Sequence, residues 1–232
     1  MSGLKLSIGD FSKAIKLQDL TIGSADANYV NPHLRALTLG NNTLLKSIDA
    51  RNCTGLNSEC DTPSINLSGC LSLENVYFDG TGITGVSLPN GGSIKTLHLP
   101  ETINNLTILN QTKITEFECP NLTYSSGLSS DEYNNLSTLW LDNVSTELTS
   151  ADEYVIDAQA ILEAMEDGGN VRLYNFQWEF DTVSDVENFY DKLDNMKGLD
   201  QNGNSVDTAQ VYGIINIAEA VTGEQITALK TR

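Results

Sequence analysis

The sequence is short of positive charge. Its 232 residues carry 13 Lys+Arg against 31 Asp+Glu, a net charge of −18 at pH 7. Nucleic-acid binding needs cations that neutralise phosphates, and so few scattered basic residues exclude it. An anionic membrane surface repels such a chain for the same reason. No run of about 18 apolar residues is present to span a bilayer. The start, Met1 to Asp10, lacks the basic stretch and apolar block of a signal peptide, so either export by that route is not expected or the chain is part of a longer one. Histidine is scarce as well: His33 and His98 are the only two, and neither lies in a Ser or Cys nucleophile motif. No Walker A loop, dinucleotide-binding glycine motif or HExxH occurs, so the residues point to no cofactor. The four cysteines, Cys53, Cys60, Cys70 and Cys119, are too widely spaced for a zinc ribbon and contain no C-x-x-C.

What is abundant is a repeated apolar unit. Apolar-x-x-apolar-x-apolar recurs as Leu17/Leu20/Ile22, Leu34/Leu37/Leu39, Leu45/Ile48/Ala50, Leu73/Val76/Phe78 and Ile83/Val86/Leu88. It continues as Ile94/Leu97/Leu99, Ile103/Leu106/Ile108, Ile114/Phe117/Cys119 and Leu136/Leu139/Leu141. From Leu73 to Ile94, Ile114 and Leu136 the steps are 21, 20 and 22 residues, with Ile83 and Ile103 interleaved 20 apart. Within each unit the last two apolar residues are two apart, which places them on one face of a strand. Turn-forming runs such as Asp79-Gly80-Thr81-Gly82 and Pro89-Asn90-Gly91-Gly92 separate the units. A coil of about 21 residues cannot bury its apolar face alone, so stacked neighbours must cover it. The expected class is α/β, and the expected architecture a parallel β-solenoid over residues 1–148.

This spacing is the leucine-rich-repeat pattern, which Leu34-Arg35-Ala36-Leu37-Thr38-Leu39-Gly40-Asn41-Asn42 matches well. Three further stretches carry a closer likeness. They are Ser47-Ile48-Asp49-Ala50-Arg51-Asn52-Cys53-Thr54-Gly55-Leu56, Leu67-Ser68-Gly69-Cys70-Leu71-Ser72-Leu73 and Gly85 to Pro100. Together with Met196 to Gly203, they resemble the irregular leucine-rich-repeat-like, tail-associated virion proteins of tailed phages of gut bacteria. The resemblance implies a virion component, or a piece of one. It also implies that Cys53 and Cys70 fill a turn position where such repeats favour Asn or Cys facing the coil interior. Buried reduced thiols are then the expectation for the cysteines, with one disulfide as the main competitor.

After Asn143 the period changes, and residues 149–232 read as larger helix–strand units continuing the solenoid. Ser150-Ala151-Asp152-Glu153 and Ser184-Asp185-Val186-Glu187 are capping boxes. The first predicts a helix stopped by Gly168-Gly169, and the second a helix through Met196 stopped by Gly198. Val171 to Phe180 and Val211 to Ile217 read as strands, and Thr222-Gly223-Glu224-Gln225 opens a last helix. The charge is concentrated here: residues 1–120 hold 11 acids and 8 bases, whereas residues 121–232 hold 20 acids and 5 bases. Solvated helix faces account for such acids, and a docking surface for a basic partner is the alternative. The end at Arg232, just past that last helix, is expected to continue or to pack on a partner.

Two polar clusters are candidate sites. Glu116 and Glu118 flank the inward Phe117, so their carboxylates share the outer face about 6–7 Å apart, a spacing that suits a glycosidase pair. Two solvated glutamates are the plainer account, since no matching aromatic cleft is evident nearby. Asp200, Asn202 and Asn204 resemble the start of a calcium loop, but Gly203 falls one place early and Val211 stands where glutamate is needed. A polar turn fits better. A dense scaffold with an empty catalytic inventory favours a non-enzymatic structural or adhesive virion module. Its expected partners are other virion proteins or a host-surface receptor or glycan, with a homo-oligomer as a further option. A bacterial surface leucine-rich-repeat protein and a polysaccharide depolymerase using Glu116 and Glu118 are the alternatives.

Overall fold

The apolar units become strands. A computed structural model describes residues 7–26, 28–91, 93–107, 113–122, 124–126, 138–141, 162–163, 165–201 and 203–230. Among these the protein is strand-rich, built mainly of parallel sheets, with two helices of described extent. The first twelve strands are β1 (Ile8–Asp10), β2 (Asp19–Thr21), β3 (Ala36–Thr38), β4 (Ser47–Asp49), β5 (Ser64–Asn66) and β6 (Asn75–Tyr77), followed by β7 (Gly85–Ser87), β8 (Thr96–His98), β9 (Asn105–Thr107), β10 (Glu116–Glu118), β11 (Tyr124–Ser126) and β12 (Thr138–Leu141). The second apolar residue of every unit found in the sequence falls inside one of them. Strands β1, β5 and β11 lie outside that pattern because their apolar template is broken. Gly9 and Ser125 replace the central apolar residue, and Thr62 stands where β5 needs its first.

Alternate strands go to different sheets. The even-numbered strands β2 to β12 lie side by side in a ten-stranded sheet, continued by β13 (Asn170–Phe180), β14 (Lys197–Leu199) and β15 (Ser205–Val206), with β16 (Gln210–Ile217) also on β13. The odd-numbered strands form three parallel pairs, β1–β3, β5–β7 and β9–β11. In the large sheet Leu20, Ile48, Val76, Leu97, Phe117, Leu139 and Val171 are successive register partners, and all are buried. One apolar ladder therefore runs through the middle of the core.

A second column lies in the turns. Asn42, Cys53, Cys70 and Thr81 follow their strand centres by equal offsets and are all buried. Asn42 donates to the carbonyls of Phe11 (3.0 Å) and Ala14 (2.8 Å) and accepts from the Gly40 N–H (2.8 Å). Cys53 Sγ lies 3.5 Å from the Ile22 carbonyl, and the Thr81 hydroxyl donates to the Phe78 carbonyl at 2.7 Å. The Asn42 and Thr81 side chains thus add second bonds to turn carbonyls that already accept from backbone N–H groups, and Asn42 also holds the Gly40 N–H. All four cysteines are buried free thiols.

Behind Asn143 the expected strands are present, each one residue longer, and β13 pairs in parallel with both β12 and β16. Two details correct the sequence reading. Helix α1 (Val183–Asp194) is capped by Thr182, not Ser184: Thr182 accepts from the Asp185 N–H and Asp185 reaches back to the Thr182 N–H. The helix also ends at Asp194, with Asn195 as its C-cap, and Gly198 instead lies in β14. A Cβ at Gly198 would come 2.1 Å from the Thr208 carbonyl oxygen, so the glycine serves close strand packing and not a helix stop. β15 pairs antiparallel with β14, a hairpin absent from the expected organisation. Helix α2 (Gly223–Lys230) opens as expected, with Thr222 and Gln225 capping each other. The expected cap at Ser150 lies outside the described residues. Among the described residues no helix is long and apolar enough to cross a membrane.

Candidate functional site

With the strand centres facing inward, the residues on either side face outward. Parallel register then sets Thr21, Asp49, Tyr77, His98, Glu118, Trp140 and Arg172 in one row across the large sheet. The next outward positions bring Arg51 and Asp79 beside that row. The turns behind them repeat a left-handed residue in register, Asn52 (φ 58°) and Gly80 (φ +66°). Glycine at residue 80 also keeps clear of Asn52, whose Oδ1 would lie 2.3 Å from a Cβ there.

The row is closely interconnected. Arg51 pairs with Asp49 at 2.6 Å and lies over the Tyr77 ring at 4.5 Å. Tyr77 meets His98 edge-on at 5.1 Å. His98 Nδ1 stands 3.4 Å from Glu118 Oε2 and 3.8 Å from Asp79 Oδ2, while its Nε2 stands 3.6 Å from Glu116 Oε2. Glu116 also accepts from the Thr96 hydroxyl at 3.4 Å. At the other end Arg172 lies over the rings of Trp140 (5.3 Å) and Tyr174 (4.0 Å). A depression of about 400 Å³ opens here, lined by Arg51, Asp79, His98, Glu118, Trp140 and Gly203 among others. Asp79 Oδ2, His98 Nε2 and Trp140 Nε1 are buried in its neighbourhood without a hydrogen-bond partner. Asp79, His98 and Glu118 each direct one potential ligand atom to a common place, all within 4.8 Å of one another.

Burial governs the protonation of this cluster. It pushes the Glu118 carboxyl up to about 8, helped by the negative charges of Asp79 and Glu116. Burial likewise raises Asp79 to about 6. It lowers His98 to about 4, and the nearby Arg51 cation acts in the same direction. At neutral pH the His98–Glu118 pair therefore holds one proton. The site combines a protonated carboxyl, a neutral imidazole and an ionised carboxylate beside aromatic surface.

Glu116 and Glu118 share the outer face as expected, but their surroundings differ from the expected open sheet. Glu118 is only 8% exposed, and Tyr77 and Trp140 stand in the same row on either side. Asp79 and His98 are site residues that spacing could have revealed, since Tyr77, His98, Glu118 and Trp140 each follow the second apolar residue of their units and Asp79 follows the third, Phe78. Asp200 and Asn204 occupy the β14–β15 turn, where Asn204 donates its backbone N–H (2.9 Å) and its side-chain amide (3.0 Å) to the Asp200 carboxylate. Asn202 lies outside the described residues. The same turn brings Gln201 and Gly203 to the edge of the depression. Comparison with known proteins finds no matching family model, curated protein or solved structure.

Proposed function

We propose that the protein is a parallel solenoid of leucine-rich-repeat type, serving as a non-enzymatic structural or adhesive module of a phage virion whose sheet face grips a host-surface glycan. The alternation of strands between one large sheet and smaller pairs, and the buried Asn/Cys/Thr column in the turns, support the solenoid. The likeness to phage tail-associated proteins supports the virion setting, where other virion proteins are the alternative partners.

One observation carries the binding reading: three buried, unpartnered polar atoms of both hydrogen-bonding senses line a depression beside Trp140. A buried group without a partner costs about 1–3 kcal/mol, so a ligand that supplies the partner is favoured by a similar amount. Sugar rings offer hydroxyls that donate and accept, together with apolar faces that pack on aromatic rings. Purified host capsule and cell-wall glycan are the probes. Wild type is expected to bind, and Trp140→Phe, which keeps an aromatic ring but loses the N–H, to bind about tenfold more weakly. No binding to either glycan rejects the reading. A stoichiometric band in purified virions is expected, and its absence removes the virion setting.

A depolymerase is the second reading, favoured by the Glu118 carboxyl, which burial holds protonated as a glycosidase acid must be. It requires release of reducing ends from those glycans. No release, or release unchanged by Glu116→Gln, ends it.

A further inference from the structure

We propose that Asp79, His98 and Glu118 form a binding site for a divalent first-row transition metal ion, with zinc the best fit, held by His98 Nδ1 and one oxygen of each carboxylate. Tetrahedral zinc with bonds of about 2.0–2.2 Å separates its ligand atoms by about 3.4 Å. His98 Nδ1 and Glu118 Oε2 already stand 3.4 Å apart, and Asp79 Oδ2 needs only a small approach from 3.8 Å. The three side chains come from the turn after β6 and from the neighbouring β8 and β10. Their register is fixed from below by Val76, Leu97 and Phe117, so the donor set is held by the core.

The second coordination shell points the same way. A histidine that binds metal through one ring nitrogen usually donates its other N–H to a carboxylate or carbonyl. With Nδ1 on the ion, His98 Nε2 carries the proton and faces Glu116 Oε2 at 3.6 Å. Glu116 is in turn restrained by the Thr96 hydroxyl. The ion would also give Asp79 Oδ2, now buried without a partner, the positive contact it lacks. Arg51 is the cation nearest this cluster, and Asp49 already engages it at 2.6 Å. One imidazole with two carboxylates suits zinc, cobalt or manganese, whereas calcium and magnesium prefer oxygen alone. The fourth position would open into the depression.

The ion would occupy Asp79 Oδ2 and fix the His98 Nε2 proton toward Glu116, leaving the Trp140 N–H for any further ligand, so the test uses metal alone. Untagged protein, stripped with chelator, is titrated with zinc chloride by calorimetry and with cobalt chloride by visible spectroscopy. One equivalent is expected to bind, and tetrahedral cobalt bands should appear without a thiolate charge-transfer band. His98→Ala and Glu118→Gln should each weaken zinc binding at least about a hundredfold, and Glu116→Gln about tenfold to a hundredfold. The exposed His33→Ala should bind as wild type does. Glu118→Gln keeps the shape of the side chain and covers the case in which His98→Ala misfolds. Absence of stoichiometric uptake overturns the proposal. So does uptake unchanged by His98→Ala and Glu118→Gln, a thiolate band, or displacement of zinc by equimolar calcium.

Discussion

Replacing Glu118 by Gln in metal-free protein should flatten the pH dependence of stability above pH 6.5. A carboxyl whose folded value is raised takes up a proton on folding. Its stabilisation is complete below the unfolded value and is lost as pH rises through the folded one. For Glu118, faced by His98, Asp79, Glu116 and Arg51, that loss runs from the ordinary 4.5 to about 8. Asp79 loses its share between 3.8 and about 6. His98 acts in the opposite sense: its value is lowered from 6.5 to about 4, so its contribution is complete above 6.5 and is lost as pH falls. Those two largely offset each other in the acidic range, and above 6.5 Glu118 is the group of the three still titrating. Each unit is worth about 1.4 kcal/mol, so the interval from 6.5 to 8 should cost wild type about 2 kcal/mol that Glu118→Gln does not lose. Urea denaturation of both proteins in chelator at pH 6.5 and 8.5 measures this. Comparing the two cancels the general repulsion of a chain at −18. Parallel curves for the two proteins would refute the buried, protonated Glu118.

Other consequences concern the framework. Asn42→Ala removes two donated hydrogen bonds and one accepted bond at a buried turn, and should lower unfolding free energy by about 2–4 kcal/mol in denaturant titration. Burial raises the Cys53 thiol to about 11 and pushes Cys70 and Cys119 up as well, so a thiol-specific dye should label the native protein slowly and all four cysteines once it is unfolded. Rapid native labelling would contradict the buried column. Thr182→Ala should destabilise the protein by about 1 kcal/mol and Ser184→Ala far less; the reverse order would return the cap to Ser184.

Leu97 and Phe117 show why so much of the framework can be read in the sequence. Their spacing within a unit sets the face, and their spacing between units sets the register. Errors arise where one local signal has two physical meanings. Gly198 reads as a helix stop because glycine ends helices, yet its conformation answers to the Thr208 carbonyl pressed against it. Thr182-x-x-Asp185 and Ser184-x-x-Glu187 are both capping boxes. The outcome was decided by β13 ending at Phe180 and Val183 needing burial, which are long-range facts. The site was half visible in the same sense. Glu116 and Glu118 follow from alternation about Phe117, but the depression that encloses Glu118 is also lined by Arg51, which lies over Tyr77, and by Gly203 of the β14–β15 turn, and neither is local to it in sequence.

That difference bears on how function is placed in such a fold. Along β4, β6, β8, β10 and β12 of the large sheet the centre and the residue two further on are committed to the core, and the turn column bonds backbone groups of the turns. The outward row carries no such duty, so its side chains are free to vary in kind. A fold that asked only for solubility would fill it with exposed, mixed polar residues. Here the row instead buries Glu118, Asp79 Oδ2 and the Trp140 N–H at a cost to stability. Breaks in local consistency of this kind are expected where a surface is shaped for a ligand. The unpartnered atoms lie on β8, on β12 and in the turn after β6, and the apolar ladder beneath them is fully buried at Val76, Leu97, Phe117 and Leu139. The polar cluster is thus set over a fully buried stretch of the core, which holds it in one geometry.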